Sequence, residues 1–313
     1  MPGRPTIGKI IRRLLLVGLI ILIVLNWTAG RLPKQPAAPS DAKYAQIGET
    51  KIHYQEQPGK DPAVVMVHGL PGVWANWDPV VPKLPGRHTI VIDRPGFGFS
   101  SGDYMPYDEQ LTTIHALVAK LKLKKPVIAG FSYGGTLALG YARKYPAETK
   151  SIVLVDAAAK TGSGHGFEKV QARAIKLLET PGVRQVWNAT LGQLFKTASA
   201  KAGAAKAFSP TPVDDDFQDQ VLDYNMQSDD LKAYADEVIN FSHVVEQLQP
   251  TLPQIRTPAF ILQGKGDELV DPDTATYLKK VLPNSSLVLV PGGHVQPYIS
   301  PQVVAGQIKL AVR

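Results

Sequence analysis

Residues 130–135 of this chain, Gly-Phe-Ser-Tyr-Gly-Gly, constrain its fold more than any other stretch. A short apolar run precedes them and a helical pattern follows, which predicts a strand, a sharp turn and a helix with Ser132 at the tip. A serine in such a turn is strained, and glycines at 130 and 134 leave room for the returning chain. The pattern is that of a G-x-S-x-G nucleophile elbow, in which the helix N-terminus stabilises negative charge near the serine.

The composition indicates a globular protein without disulfides. The 313 residues include no cysteine, which excludes disulfides and thiolate metal sites. The hydrophobic fraction of 44% and the charged fraction of 19% suit a chain with a substantial core. Six of the 34 basic residues precede the first acidic residue, Asp41, which leaves 28 basic against 27 acidic residues. Because the rest of the chain is nearly neutral, we expect no nucleic-acid partner.

An uninterrupted apolar run from Leu14 to Leu25 follows Arg12 and Arg13. A run that is hydrophobic all round and has a basic flank predicts a single-span membrane anchor over residues 1–30. The alternatives are a cleaved signal peptide, which would give a secreted protein, and a buried core helix. The position of the basic flank predicts a cytoplasmic N-terminus and a main domain outside the cytoplasm, periplasmic or extracellular. Residues 31–42, rich in proline and alanine, are predicted to form a semi-extended linker.

A continuous apolar run at residues 63–67 predicts a parallel strand that is buried on both faces. It leads into residues 68–72, His-Gly-Leu-Pro-Gly. A tight turn at the carboxyl end of a strand suits an oxyanion-hole loop, whose donors would be the backbone N–H groups of Leu70 and of Tyr133, the residue after the serine. We interpret His68 as structural, because it precedes the turn.

A third motif, Asp-Arg-Pro-Gly-Phe-Gly-Phe-Ser, occupies residues 93–100 and follows another predicted strand. We interpret Asp93 and Arg94 as a pair that orders this loop. With residues 68–72 and 130–135, the three motifs together resemble those of the alpha/beta-hydrolase superfamily. The resemblance covers about residues 44–313 and points to the branch that includes epoxide hydrolases, haloalkane dehalogenases, carbon–carbon bond hydrolases and small carboxylesterases.

The resemblance implies an α/β fold: a mostly parallel central sheet with helices on both faces and a helical cap inserted between strands. Epoxide hydrolases and haloalkane dehalogenases carry an aspartate at the nucleophile position. The serine at position 132 therefore indicates acyl transfer and argues against alkyl-ester chemistry.

Two later strand ends supply an acid and a base. Asp267 follows a predicted strand at 259–263, and His294 follows one at 287–290. The chain order Ser132, Asp267, His294 is the order that this fold uses. His294 would take the proton from Ser132 and return it to the leaving group, while Asp267 would fix the imidazole tautomer.

Three other carboxylates compete for the role of the acid. Glu268 and Asp271 lie next to Asp267 in the sequence, but Asp267 fits the Gly-x-x-Asp pattern of the family that the chain resembles. Asp271 is predicted to cap the helix that starts at Pro272. Asp156, at the end of another strand, is the main alternative, because some relatives place the acid there.

The chain divides into a hydrolase core in two parts, residues 43–160 and 256–313, and a helical cap at residues 161–255. Helical patterns in the cap run over residues 167–178, 183–195, 214–224 and 229–248. An insertion of this kind is typical of a lid over the active site. The alternative is a packing layer that has no contact with substrate.

These residues predict a membrane-anchored serine hydrolase that cleaves carboxylic esters with medium-chain or lipid-like acyl groups. A carbon–carbon bond or amide hydrolase with the same triad is the alternative, and a non-enzymatic binding protein is a third hypothesis. The histidines lack ligand spacing with carboxylates, so we expect no metal, and the chemistry needs no cofactor. The expected partners are a small-molecule ester or lipid-like substrate and, through the N-terminal helix, a membrane.

Overall fold

The computed structural model describes residues 36–160, 165–178, 192–224 and 228–313, with isolated positions among residues 7–24 and at 180 and 183. One sheet contains the strands β1 Lys43–Ile47, β2 Thr50–Gln57, β3 Lys60–Val67, β4 Arg87–Ile92, β5 Val127–Phe131, β6 Ser151–Val155, β7 Ala259–Gly264 and β8 Ser285–Val290. Their order is β1-β2-β4-β3-β5-β6-β7-β8. Strand β2 is antiparallel to β1 and β4, and the other neighbours are parallel. The predicted mostly parallel sheet is confirmed.

Helices cover both faces of this sheet. In the described part of the chain, the helices of the two faces and of the segment between β6 and β7 are α1 Tyr107–Lys120, α2 Tyr133–Lys144, α3 His165–Leu178, α4 Gly192–Phe208, α5 Asp215–Asp223, α6 Ser228–Leu248, α7 Asp273–Val281, α8 Gln296–Ile299 and α9 Pro301–Ala311. Leu111 of α1 and Leu137 of α2 belong to the core on one face, and Ile308 of α9 belongs to the core on the other. Because side chains alternate along a strand, Val65 of β3 faces the first core and Met66 the second. The strands therefore read as continuous apolar runs.

The strand order creates a crevice at the carboxyl end of β3. This strand lies between β4 and β5, so the chain leaves it toward one side for β4 and later enters β5 on the other side. Loops that follow neighbouring strands diverge at such a switch point, and ligands of open α/β sheets bind there. The loop at residues 68–72 and the turn at Ser132 begin at this crevice.

Between β6 and β7, the described residues form α3, α4, α5 and α6 and contain no strand, which confirms the helical insertion. The predicted helix at 183–195 lies largely outside the described residues. Helix α4, Gly192–Phe208, extends well beyond that prediction. Its second half, rich in alanine and lysine, has high helix propensity but too few large apolar residues to mark a buried face.

Most of the predicted membrane anchor, residues 1–30, lies outside the described residues, as does the start of the linker. In the part of the chain that is described, we find no helix with both the length and the apolar character needed to cross a membrane.

Candidate active site

Ser132 occupies the turn between β5 and α2 with φ of +54° and ψ of −117°. This conformation is strained for a residue with a Cβ atom, and the neighbouring glycines make it possible. A Cβ atom added to Gly130 would overlap the carbonyl oxygen of Gly134, and one added to Gly134 would overlap that of Val67. The sequence pattern of the elbow is therefore a steric requirement of the turn.

Asp267 and His294 lie in the loops that follow β7 and β8. Oδ2 of Asp267 is 2.7 Å from Nδ1 of His294 and accepts a hydrogen bond of 2.7 Å from Nε2 of Gln263. Oδ1 of Asp267 accepts the backbone N–H groups of Leu269 and Val270, each at 2.8 Å. Both carboxylate oxygens are thus held in place, and one of them faces the imidazole.

The environment of Asp267 favours its ionised form. Burial raises the pKa of this carboxyl, but the attraction of His294 and the hydrogen bonds to its oxygens outweigh burial, and the pKa falls below its usual value. A carboxylate beside Nδ1 keeps the imidazole proton on that nitrogen, which leaves Nε2 of His294 as the proton acceptor.

The imidazole of His294 lies beside the elbow. Its ring centroid is 5.2 Å from that of Phe131, the residue before Ser132. Ser132 and His294 are 8% and 6% exposed, so both are shielded from bulk water. The backbone N–H of His294 donates to the carbonyl of Ala207 in α4 at 2.7 Å. The helical insertion therefore contacts the histidine loop directly.

The loop at residues 68–72 also approaches the elbow. A Cβ atom added to Gly69 would come within 2.9 Å of Cβ of Ser132, so the start of this loop packs against the serine. Leu70 follows in the same loop. Tyr133 is the first residue of α2, and the N–H group of a first helical residue has no partner within the helix. The two predicted oxyanion donors therefore belong to two segments that adjoin Ser132.

Glu268 and Asp271, two of the alternative acids, have partners away from the histidine. Glu268 accepts a hydrogen bond from Oγ of Ser209 at 2.7 Å. Asp271 accepts the backbone N–H of Asp273, the first residue of α7, at 2.9 Å. The second contact is of the kind expected for a residue that caps a helix.

Asp156, the third alternative, is completely buried at the end of β6. Its oxygens accept the backbone N–H groups of Gly264 at 2.8 Å and Gln296 at 3.3 Å. Burial, followed by the negative charge of Asp267, raises the pKa of Asp156 well above its usual value. Asp156 thus faces backbone donors, whereas Asp267 faces His294.

Both ring nitrogens of His68 are engaged within the loop. Nε2 accepts the backbone N–H of Arg94 at 3.0 Å, so Nδ1 carries the proton and donates to the carbonyl of Gly69 at 2.9 Å. Burial, and then the charge of Arg94, lowers the pKa of His68 well below its usual value. His68 is therefore neutral and orders the loop.

Asp93 and Arg94 also order their loop, but through separate partners. Asp93 contacts Nδ1 of His53 at 2.7 Å, whereas the Arg94 guanidinium pairs with Glu237 on α6. Glu237 was not predicted from the sequence, and it is 143 positions away from Arg94. The helical spacing does indicate that Glu237 has a partner. It lies four residues after Ala233 on the buried face of a helix, and a buried carboxylate requires a partner.

Known proteins share this architecture. The family model for the alpha/beta hydrolase fold matches residues 62–301. Lipase 1 of Psychrobacter immobilis is 27% identical over 238 residues, which cover 74% of this chain and 71% of the relative. The 2-hydroxy-6-oxo-2,4-heptadienoate hydrolase of Pseudomonas putida is 27% identical over 258 residues, which cover 76% and 83%.

A solved structure is similar over nearly the whole length. The crystal structure of lip1 from Acinetobacter baumannii AYE, provisionally named a lipase, superposes with a TM-score of 0.66 and 26% identity, and the match covers 94% of each chain. The family model spans well over half of the present chain, from the strand before the first loop of the site to the start of the last helix. The chain therefore belongs to the alpha/beta hydrolase fold family.

Proposed function

We propose that this chain is a serine hydrolase that cleaves carboxylic esters through an acyl-enzyme on Ser132. The observation that carries the proposal is the 2.7 Å contact between Asp267 and His294, at the sheet edge where Ser132 stands on a strained turn. The similarity to Lipase 1 of Psychrobacter immobilis supports an ester as the bond that is cleaved.

In the first half of the reaction, Nε2 of His294 removes the proton from Oγ of Ser132 as Oγ attacks the ester carbonyl. The ionised carboxylate of Asp267 stabilises the imidazolium that forms. The N–H groups of Leu70 and Tyr133 donate to the oxyanion of the tetrahedral intermediate. His294 then protonates the alcohol as the ester C–O bond breaks, which leaves the acyl group on Ser132.

In the second half, a water molecule takes the place of the alcohol. His294 removes a proton from this water, whose oxygen attacks the acyl carbonyl. The second tetrahedral intermediate uses the same two N–H donors. The bond to Oγ breaks, Ser132 recovers its proton from His294, and the carboxylic acid leaves.

We propose medium-chain or lipid-like acyl groups, with the insertion at residues 161–255 acting as a lid. Two contacts support the assignment of the insertion as a lid. Ala207 of α4 accepts the N–H of His294, and the ring centroid of Phe241 of α6 is 6.0 Å from that of Tyr133. Helices in this position contribute apolar surface next to the reacting atoms.

The test is the Ser132→Ala variant with p-nitrophenyl esters of increasing acyl length and with a fluorophosphonate probe. We expect hydrolysis and labelling of the wild type, with a preference for medium or long chains, and loss of both in the variant. Undiminished labelling of Ser132→Ala would contradict the assignment of the nucleophile. A preference for acetyl esters would contradict the acyl-length part alone.

Cleavage of a carbon–carbon bond is the second candidate, and the similarity to the Pseudomonas putida hydrolase favours it. The same serine, acid and base serve either bond, and an amide as well, so substrates must discriminate. A panel of esters, vinylogous diketones and anilides, each at matched concentration, compares kcat/KM directly. Faster turnover of a diketone than of every ester would replace our first proposal with this one.

Attachment to a membrane stays a prediction from the apolar run Leu14 to Leu25 and its basic flank. We expect the full-length chain to sediment with membranes and a chain that starts near Ala42 to stay in the supernatant. Recovery of both in the supernatant would contradict the anchor without touching the chemistry.

A further inference from the structure

We propose that Arg94 is a positioning residue of the active site, which orients and polarises the peptide group that supplies one oxyanion donor. The peptide joins Gly69 to Leu70. Nη2 of Arg94 donates to the Gly69 carbonyl at 2.8 Å, and Nδ1 of His68 donates to the same oxygen at 2.9 Å. The inference rests on the proposed function, because Leu70 acts as a donor only there.

The first consequence is one of direction. The C=O and N–H bonds of a planar trans peptide point in opposite directions. Two hydrogen bonds that fix the Gly69 carbonyl therefore fix the direction of the Leu70 N–H as well. An oxyanion donor contributes most when it is aimed before the reaction begins, since no reorganisation is then needed.

The second consequence is one of strength. A carbonyl that accepts a hydrogen bond from a cation is polarised, and this makes the N–H of the same peptide a better donor. The guanidinium of Arg94 is completely buried, so water does not screen this effect.

Arg94 is itself held from several sides. Nη1 donates to Oε1 of Gln110 at 3.1 Å and to Oε1 of Glu237. Nε2 of Gln110 also donates to Glu237, at 2.7 Å, which closes a triangle of three buried side chains. The guanidinium carbon lies 4.4 Å and 4.8 Å from the ring centroids of Phe97 and Tyr133. These contacts restrict the guanidinium to one orientation.

The triangle connects the oxyanion loop to the helical insertion, because Glu237 belongs to α6. Side-chain exposure is 0% for Arg94 and 1% for Glu237. Removing one member of this pair would leave the other charge unpaired in a buried site, which is strongly unfavourable. Glu237 on α6 therefore helps to hold the guanidinium that orients the donor peptide.

The experiment compares Arg94→Gln with Lys232→Gln. Lys232 pairs with Asp103 on the surface and also ties α6 to the loop after β4, but its contact lies away from Gly69. Each variant is measured for kcat and KM on the best p-nitrophenyl ester. Each is also measured for the inhibition constant of a trifluoromethyl ketone, which forms a tetrahedral oxyanion on the serine.

We expect Arg94→Gln to lower kcat by about 10- to 100-fold, somewhat less than the loss of a whole oxyanion donor. The inhibition constant of the ketone should rise by the same factor, with little change in KM. Glu237→Gln should lower kcat less, since Arg94 keeps its bond to Gly69. Lys232→Gln should match the wild type.

Unchanged kcat in Arg94→Gln would overturn the proposal, as would a loss that lies only in KM with ketone affinity intact. The double variant Arg94→Gln/Glu237→Gln removes both buried charges together, so neither is left unpaired. It should fold, as judged by circular dichroism, and show the kcat of Arg94→Gln. A double variant that cannot fold would assign the pair to stability and contradict the positioning role.

Ser132→Ala, assayed in parallel, distinguishes failure of the proposed function from failure of the proposed role of Arg94. Activity that survives in Ser132→Ala would contradict the proposed function itself. An inactive Ser132→Ala beside a fully active Arg94→Gln would contradict only the role of Arg94.

Discussion

Asp156, at the end of β6, lies close enough to Asp267, at the end of β7, for the charge of Asp267 to raise its pKa. The pKa values of the two buried carboxyls are shifted in opposite directions, because the pKa of Asp267 is lowered. Asp156 binds the N–H groups of Gly264 and Gln296, which are near Asp267 and His294 in the sequence. Asp267 therefore faces His294, and Asp156 binds backbone groups of the two loops that carry Asp267 and His294.

Replacing Asp267 should have the larger effect on catalysis. Asp267→Asn is expected to lower kcat by about 10⁴-fold, because an amide in place of the carboxylate favours the wrong tautomer of His294. The matched control is Glu268→Gln, which alters the next residue and its bond to Ser209 but leaves the histidine alone. Steady-state ester hydrolysis measures both. A greater loss in Asp156→Asn than in Asp267→Asn would transfer the role of the acid to Asp156.

Replacing Asp156 should change how stability depends on pH. The pKa of Asp156 is higher in the folded state, so the folded protein binds the proton more tightly than the unfolded chain does. Its contribution is therefore present at low pH and is lost as pH rises from about 4, the value for an unfolded chain, toward the folded pKa. Asp156→Asn lacks this loss.

Urea unfolding at several pH values tests this prediction. The free energy of unfolding of the wild type, relative to that of Asp156→Asn, should decrease as pH rises above about 4. Asp267 is present in both proteins, so its opposite effect cancels in the difference. Parallel stability curves for the two proteins would show that Asp156 does not titrate differently on folding.

Replacing a glycine by alanine should have opposite effects on stability in the elbow and in a helix. Gly134→Ala places a Cβ atom against the carbonyl oxygen of Val67, so we expect lost activity and a destabilisation of at least about 2 kcal/mol. Gly203→Ala, in α4, meets no atom within 4 Å and should stabilise by about 0.5–1 kcal/mol. Denaturant unfolding measures both. Unchanged stability and activity in Gly134→Ala would contradict the steric requirement for glycine in the elbow.

Much of the fold was predictable because its signals are local. The run at residues 63–67 marked β3, and the glycines around Ser132 marked a turn that only small residues permit. Strand ends also located Asp267 and His294, since the carboxyl ends of parallel strands meet at one edge of the sheet. Patterns within a few residues were sufficient for these features.

The partners in contacts between distant parts of the sequence were not predictable. Arg94 and Glu237 meet only because α6 docks on the loop after β4, and neither residue shows its partner in its local sequence. The extent of α4 was missed because alanine-rich turns carry no apolar stripe. The proposed acyl specificity would depend on the insertion, whose contacts with the core join residues far apart in the sequence, such as Ala207 and His294.

The most direct test of the account is the mass of the intact protein, and then of its peptides, during turnover of a slowly hydrolysed p-nitrophenyl ester. We expect a mass increase equal to the acyl group, located on the peptide that contains Ser132 and absent from Ser132→Ala. Hydrolysis with no adduct on Ser132, or an adduct on another residue that the Ser132→Ala variant retains, would contradict the acyl-enzyme mechanism.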